Sequence, residues 1–169
     1  MYKRLVRMMI RRSIDQLNNG EIEPLLRLAA PDAVLCFPGN NSWATQFRPV
    51  RKGRTATATH RGRTELEHFG RQFVAAGLRI DVEDILVNGP PWRTRIWVRG
   101  VDSAVDETGA VAYENRIVVC IEARWGIIHH WEDYLDTERV SDWDARIART
   151  PTDGSRHATA PGSPPAAVR

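Results

Sequence analysis

The chain has 169 residues and a formal net charge of +3, with 42% apolar and 27% charged residues. That length supports one domain with a real core, and the composition is ordinary for a soluble globular protein, which excludes a wholly disordered chain. Only two cysteines, Cys36 and Cys120, are present, both in apolar strand-like runs, so neither a disulfide framework nor a zinc site is expected. No segment reaches the length of a membrane-spanning helix, and the basic N-terminus has no uninterrupted apolar run of the kind a signal peptide needs. A cytoplasmic location is expected.

In chain order, residues 3–18 fit an amphipathic helix, because Val6, Ile10, Ile14 and Leu17 recur at helical spacing. Gly20 is its expected stop. A shorter helix is predicted over Glu21 to Ala30, ending before Pro31, and a strand over Ala33 to Phe37. Residues 39–60 read as a long loop with a weak strand near Arg54 to Thr59. A third helix is predicted from Arg63 to Ala76, with Leu66, Phe69 and Phe73 as its buried stripe and Gly77 closing it.

From there the period changes from helical to two. Leu78 to Val87 is a strand, Asn88 to Pro91 a turn, and Trp92 to Val101 the next strand. After a loop at Thr108-Gly109 come long strands over Val111 to Trp125 and Ile127 to Asp136. A short helix is expected over Glu138 to Ala148, with Asp136 or Thr137 as its N-cap. The globular part spans about residues 1–149. Residues 150–169, which hold four Pro and two Gly, read as a disordered tail. Helices followed by an antiparallel meander give an α+β fold. The sheet is expected to curve into a cone-shaped barrel around three N-terminal helices, with a pocket between sheet and helices.

Within Trp125 to Asp136, Trp131, Asp133 and Leu135 share one face of a strand. A carboxylate beside a Trp and a Leu is costly to bury unpaired. Asp133 is therefore either an acid/base group with a raised pKa or half of a structural ion pair with Arg95. Arg95 itself either orients Asp133 or points outward to pair with Glu114 or Glu122. Apolar-inward logic places Ile96 and Val98 inside and leaves Arg95 and Trp97 on the other face. Tyr113, Asn115 and Ile117 form an inward set, and the Asn115 amide must bond either ligand or protein. Trp43 and Phe47, in the long loop, are candidates for a lid or for loop anchors. His129 is placed on the Asp133 face, with a packed or surface histidine as the default. The basic run Arg48, Arg51, Lys52, Arg54, Arg61 and Arg63 reads first as a solvated loop and second as an anion or nucleic-acid site, since it has no Tyr or Trp to stack bases.

Four short motifs carry a resemblance to a known family: Leu17-Asn-Asn-Gly-Glu-Ile-Glu-Pro24, Ala30-Pro-Asp-Ala-Val34, Gly62-Arg-Thr-Glu65 leading into Phe69, and Trp131-Glu-Asp-Tyr-Leu-Asp136. In this order and spacing, over about residues 5–145, the chain resembles the nuclear transport factor 2-like superfamily, in particular its SnoaL-like and ketosteroid-isomerase-like bacterial members. The last motif is similar to the final strand of limonene-epoxide-hydrolase-like proteins, which makes Asp133 the implied pocket acid/base. The Arg-x-Asp pair of those enzymes has no counterpart, because Trp97 and Val101 follow Arg95 and Arg99 at that spacing. Asp102, one residue further, is expected on the opposite face from Arg99, so the second carboxylate is expected to be missing. The Tyr and protonated Asp of the ketosteroid isomerases have no full counterpart either.

The resulting expectation is a small, largely apolar organic ligand in the cone, handled by acid/base chemistry of the isomerase, cyclase or hydrolase type without metal or other cofactor. Asp133 is the catalytic candidate, with Trp131, Asn115, Trp97, Arg95, Trp43 and Tyr113 around the ligand. The alternative is a non-catalytic ligand-binding or assembly module. The resemblance also implies a homodimer; neither a membrane nor nucleic acid is expected as partner.

Overall fold

The computed structural model describes residues 1–38 and 57–147. The Trp43 and Phe47 reading, most of the basic run and the C-terminal tail lie outside the described residues. Among the described residues four α-helices, α1 (Tyr2–Asn18), α2 (Glu23–Leu28), α3 (Gly62–Ala75) and α4 (Thr137–Ile147), accompany six strands. These are β1 (Ala29–Pro38), β2 (Thr57–Arg61), β3 (Arg79–Asn88), β4 (Thr94–Val105), β5 (Val111–Arg124) and β6 (Ile127–Leu135). One mixed sheet runs in the order β2-β1-β6-β5-β4-β3, curled but not closed. Among the described residues β1 and β6 pair in parallel and the other pairings are antiparallel.

The predicted helices form where the periodicity placed them, and local chemistry sets their ends. Gly77, at φ +68°, ends α3. Its N–H reaches the Val74 carbonyl at 3.0 Å, and the Leu78 N–H reaches Phe73 at 3.3 Å. This double closure satisfies carbonyls that the last helical turn would leave orphaned. Strand β1 starts earlier than expected, at Ala29, and takes in Pro31. Its register against β6 shifts between Ala29 and Val34, as a residue without an N–H in the ladder requires.

The concave face of the sheet closes over α1, α2 and α3, and the core is built from both sides. Val6, Ile10 and Leu17 of α1 and Leu66 and Phe73 of α3 meet Ile96, Val98, Ile121 and Trp131 of the sheet. Helix α1 also covers the open edge of β3. Asn18 donates to the Ile80 carbonyl and accepts from the Ile80 N–H, both at 2.8 Å. Arg7 Nε donates to the Ile85 carbonyl at 3.0 Å. An edge strand with its polar groups engaged in this way offers little to a second sheet. At the start of α4, Asp136 is the N-cap, its Oδ1 accepting from the Glu138 N–H at 3.0 Å.

Candidate functional site

Between the three N-terminal helices and the sheet lies a cavity of about 120 Å³. Its wall is almost wholly apolar: α1 and α2 contribute Ile10, Leu17 and Leu25, α3 contributes Phe69 and Phe73, and the strands contribute Leu35 and Val119. Trp131 belongs to the wall. Among the described residues, the polar side chains facing it are Ser13, Asp102 and Asp133. Ser13 Oγ donates its hydrogen to the Met9 carbonyl at 3.0 Å, so its hydroxyl serves the helix. The two carboxyls are what chemistry remains.

Strand parity explains how Asp102 arrives there, and it corrects the expectation that no second carboxylate accompanies Asp133. Thr94, Ile96, Val98, Gly100, Asp102 and Ala104 are buried in alternation along β4. Arg95 and Arg99 face out, so the face opposite Arg99 is the inner one. The strand runs to Val105, four residues beyond the predicted end, and carries Asp102 into the cavity wall. Asp102 lies opposite Asn115, and Asp133 opposite Val119. The curl of the sheet brings both carboxyls to the same space. No hydrogen bond joins them, and the Oδ1 atoms of both are buried with no hydrogen-bond partner among the described residues.

Burial perturbs both groups. It pushes the Asp102 carboxyl up to about 7, against the lowering effect of hydrogen bonds from Tyr113 and from its own backbone N–H. Asp133 is pushed up to about 8, first by burial and then by the charge on Asp102, with the Tyr134 N–H opposing the rise. An apolar wall penalises a carboxylate far more than a carboxylic acid. Two groups that exchange protons near neutral pH inside one cavity are suited to general acid/base work.

The other predicted site residues divide into two groups. Tyr113 and Asn115 are buried, as their inward placement predicts, but they stand behind the cavity wall. Tyr113 Oη donates to Asp102 Oδ2 at 3.4 Å. Asn115 Nδ2 donates to Tyr113 Oη at 3.1 Å and to the Asp136 carbonyl at 2.9 Å. Its Oδ1 accepts from the Asp136 N–H at 3.3 Å. Of the two partners left open for Asn115, protein is the one observed.

Arg95 and Trp97 are on the outer face and do not line the cavity. Arg95 Nε sits 3.5 Å from Glu122 Oε1, both half exposed. The Arg95–Asp133 ion pair is thereby excluded. Trp97 lies in an outer groove with Cys120, His130 and Glu132. His129 is also displaced from its expected face. The β5–β6 register shifts between Glu122 and Ala123, and this bulge makes Ile128 and Trp131, rather than His129 and Trp131, the buried residues. His129 lines an outer cleft beside Trp92 and Arg124. Of the basic run, Arg61 and Arg63 lie within the described residues: Arg61 ends β2, and Arg63 sits beside Glu23, at 3.1 Å. Among the described residues no cluster of three or more His, Cys, Asp or Glu is placed to hold a metal ion, and no helix is long and apolar enough to cross a membrane.

No protein-family model matches the sequence, and no curated protein does either. Solved structures do match. A nuclear transport factor 2-like protein of unknown function from Burkholderia pseudomallei K96243 superposes with a TM-score of 0.60 at 18% identity, covering 80% of this chain and 96% of that one. A loop truncation variant of IdmH gives 0.57 at 23% identity over 80% and 95%. TerC co-crystallised with polyporic acid gives 0.60 at 18% identity over 79% and 92%. At these identities the likeness concerns the fold alone, and it agrees with the α+β architecture and curled sheet described above. The chain has the nuclear transport factor 2-like fold that its sequence motifs resemble.

Proposed function

We propose that the protein binds a small, uncharged, largely apolar organic molecule in the cavity and transfers a proton on it by means of Asp102 and Asp133. The observation that carries this reading is the pair of carboxyls in an otherwise apolar wall, each with a buried oxygen that no protein group among the described residues engages. Such atoms cost stability unless they serve a ligand. The reaction class that fits is an isomerisation, cyclisation or hydrolysis in which one carboxyl takes a proton and the other supplies one.

Size and charge restrict the ligand. A cavity of about 120 Å³ is near the scale of an apolar cavity that takes one benzene-sized molecule, roughly 150 Å³. Among the described residues no Lys or Arg lines the cavity, so a substrate carboxylate or phosphate would be desolvated without a counter-charge. That TerC was co-crystallised with polyporic acid supports this fold as a holder of organic molecules.

Proton transfer can be read without knowing the physiological substrate. Small cyclic ketones, incubated with the protein in deuterated water, would exchange protons next to the carbonyl, followed by proton NMR. Asp133→Asn and Asp102→Asn are each expected to reduce this exchange by roughly 100-fold or more, the range for loss of a general acid or base. Exchange at the wild-type rate in both variants would refute the reading. Ligand binding with no exchange by the wild type would leave a binding module instead.

For assembly we propose a homodimer through the outer sheet face, where Trp97 and Cys120 lie half-buried and Tyr134 is exposed. A wild-type monomer in light scattering at micromolar concentration would end that part of the reading.

A further inference from the structure

We propose that Tyr113 is a positioning residue that makes Asp102 the proton acceptor of the pair and leaves Asp133 as the proton donor, and that helix α4 holds it in that role. The inference rests on the reading of the cavity as a proton-transfer site and assigns the two roles within it.

The direction of each hydrogen bond follows from the donor inventory. The backbone N–H of Asp136 can only donate, so the Asn115 atom facing it at 3.3 Å is the carbonyl Oδ1. That fixes the amide's orientation, which neighbouring groups must decide for any Asn. Nδ2 therefore faces both the Asp136 carbonyl at 2.9 Å and Tyr113 Oη at 3.1 Å. An amide nitrogen cannot accept, so at that contact Tyr113 Oη is the acceptor. Its own hydrogen is then available to Asp102 Oδ2, 3.4 Å away. The ring is held as well, stacked on Trp143 of α4 with centroids 4.8 Å apart and planes 31° off parallel.

The two carboxyls thus differ in what solvates their charge. Asp102 has a phenol aimed at one oxygen, while its Oδ1 remains without a hydrogen-bond partner among the described residues. A donor to one oxygen favours the ionised form, and a 3.4 Å contact has room to shorten as charge develops there. Asp133 has no side-chain donor among the described residues; only the Tyr134 backbone N–H opposes its rise. The remaining surroundings do not blur the contrast. Helices α1, α2 and α3 present Ser13 and apolar groups to the cavity, and its titratable residues among those described are Asp102 and Asp133 themselves. Burial raises both carboxyls, and a side-chain hydrogen bond opposes that rise at Asp102 but not at Asp133.

Proton bookkeeping closes on the two side chains. Asp102 as carboxylate takes a proton from the substrate carbon or from an attacking water, and Asp133 as acid gives one to the substrate oxygen. Proton exchange with solvent, or the reverse transfers on product formation, restores the starting state. Tyr113 keeps its proton throughout.

The test is site-resolved titration of the two aspartate side-chain carbons by carbon-13 NMR, in the full-length protein, assigned with Asp102→Asn and Asp133→Asn. In the wild type Asp102 is expected to titrate first. In Tyr113→Phe its midpoint should rise by about one pH unit, the usual scale for loss of a hydrogen bond to a charged group, bringing it level with or above Asp133. Should Tyr113→Phe fail to fold, 3-fluorotyrosine incorporation supplies an isosteric and more acidic phenol. The Asp102 midpoint should then fall while that of Asp133 stays in place. An Asp102 midpoint unmoved by either change, or Asp133 titrating first in the wild type, would overturn the assignment. These titrations need no substrate, so they hold or fail separately from the ketone exchange measurement.

Discussion

Replacing Asp133 by asparagine should change how stability depends on pH, by an amount set by one proton. The folded-state pKa of Asp133 is raised from 3.8 to about 8. Between those values the folded protein holds a proton that the unfolded chain has released. Its stabilising effect is therefore fully present below about pH 4 and is lost as the pH rises towards 8. Each pH unit inside that window costs the wild type about 1.4 kcal/mol through this group. From about pH 5 to pH 7, roughly two units, the cost is about 3 kcal/mol. An asparagine side chain at this position would keep the shape and stay neutral, so the variant escapes that loss.

Urea unfolding of both proteins at about pH 5, 6 and 7 measures the difference. The histidines, the surface carboxylates and Asp102 are common to both and largely cancel in the comparison. The stability of Asp133→Asn relative to wild type should rise by about 3 kcal/mol across this range, a large share of the roughly 5–15 kcal/mol that holds a domain together. A difference that stays level across the same range would show that Asp133 is ionised throughout, and the case for a desolvated carboxyl would fail.

Arg95→Ala should leave cavity-ligand affinity unchanged and cost less than about 1 kcal/mol, because its pairing with Glu122 is solvent-exposed; a tenfold loss of affinity would place Arg95 at the site after all. Gly100→Ala should destabilise by about 1–3 kcal/mol in denaturant titration, since a Cβ there runs into the backbone carbonyl of Asp81 on the bulged strand β3; wild-type stability would mean that β3 yields at no cost. Asn115→Ala removes the hydrogen bonds that tie Asp136 to β5. It should cost about 2 kcal/mol and speed amide hydrogen exchange over residues 137–147. Unchanged exchange there would show that α4 is held by its other contacts alone.

How much of this is legible in the sequence depends on whether a signal is local. The helices on residues 3–18 and 63–76 declare themselves through period and stops, and Gly77 ends its helix as its residue type demands. Trp131 and Asp133 share a face because two residues along a strand must do so when nothing interrupts it. Asp102 escapes the sequence reading for a comparably simple reason: the Arg-x-Asp spacing seeks a second carboxylate on the face of Arg99, whereas Arg99 faces out and the alternation Ile96, Val98, Gly100 leads to Asp102 on the inner face. Carrying that parity two residues further finds the second carboxyl. His129 carries no such cue. A bulge adds one residue and inverts the faces beyond it, and the bulge is fixed by pairing between β5 and β6, which no single strand records.

The sequence by itself determined the class of fold, the identity of the buried stripes and the presence of a costly carboxylate on the last strand. These follow from side-chain period and solvation, which act over a few residues. Only the tertiary structure decided that Asp102 and Asp133 share a cavity, that Asn115 serves Tyr113 and α4, and that Arg95 belongs to the outer face. Those outcomes depend on register across three strands, β4, β5 and β6, and on the curl of the sheet. A shift of one residue in any pairing would have reversed them.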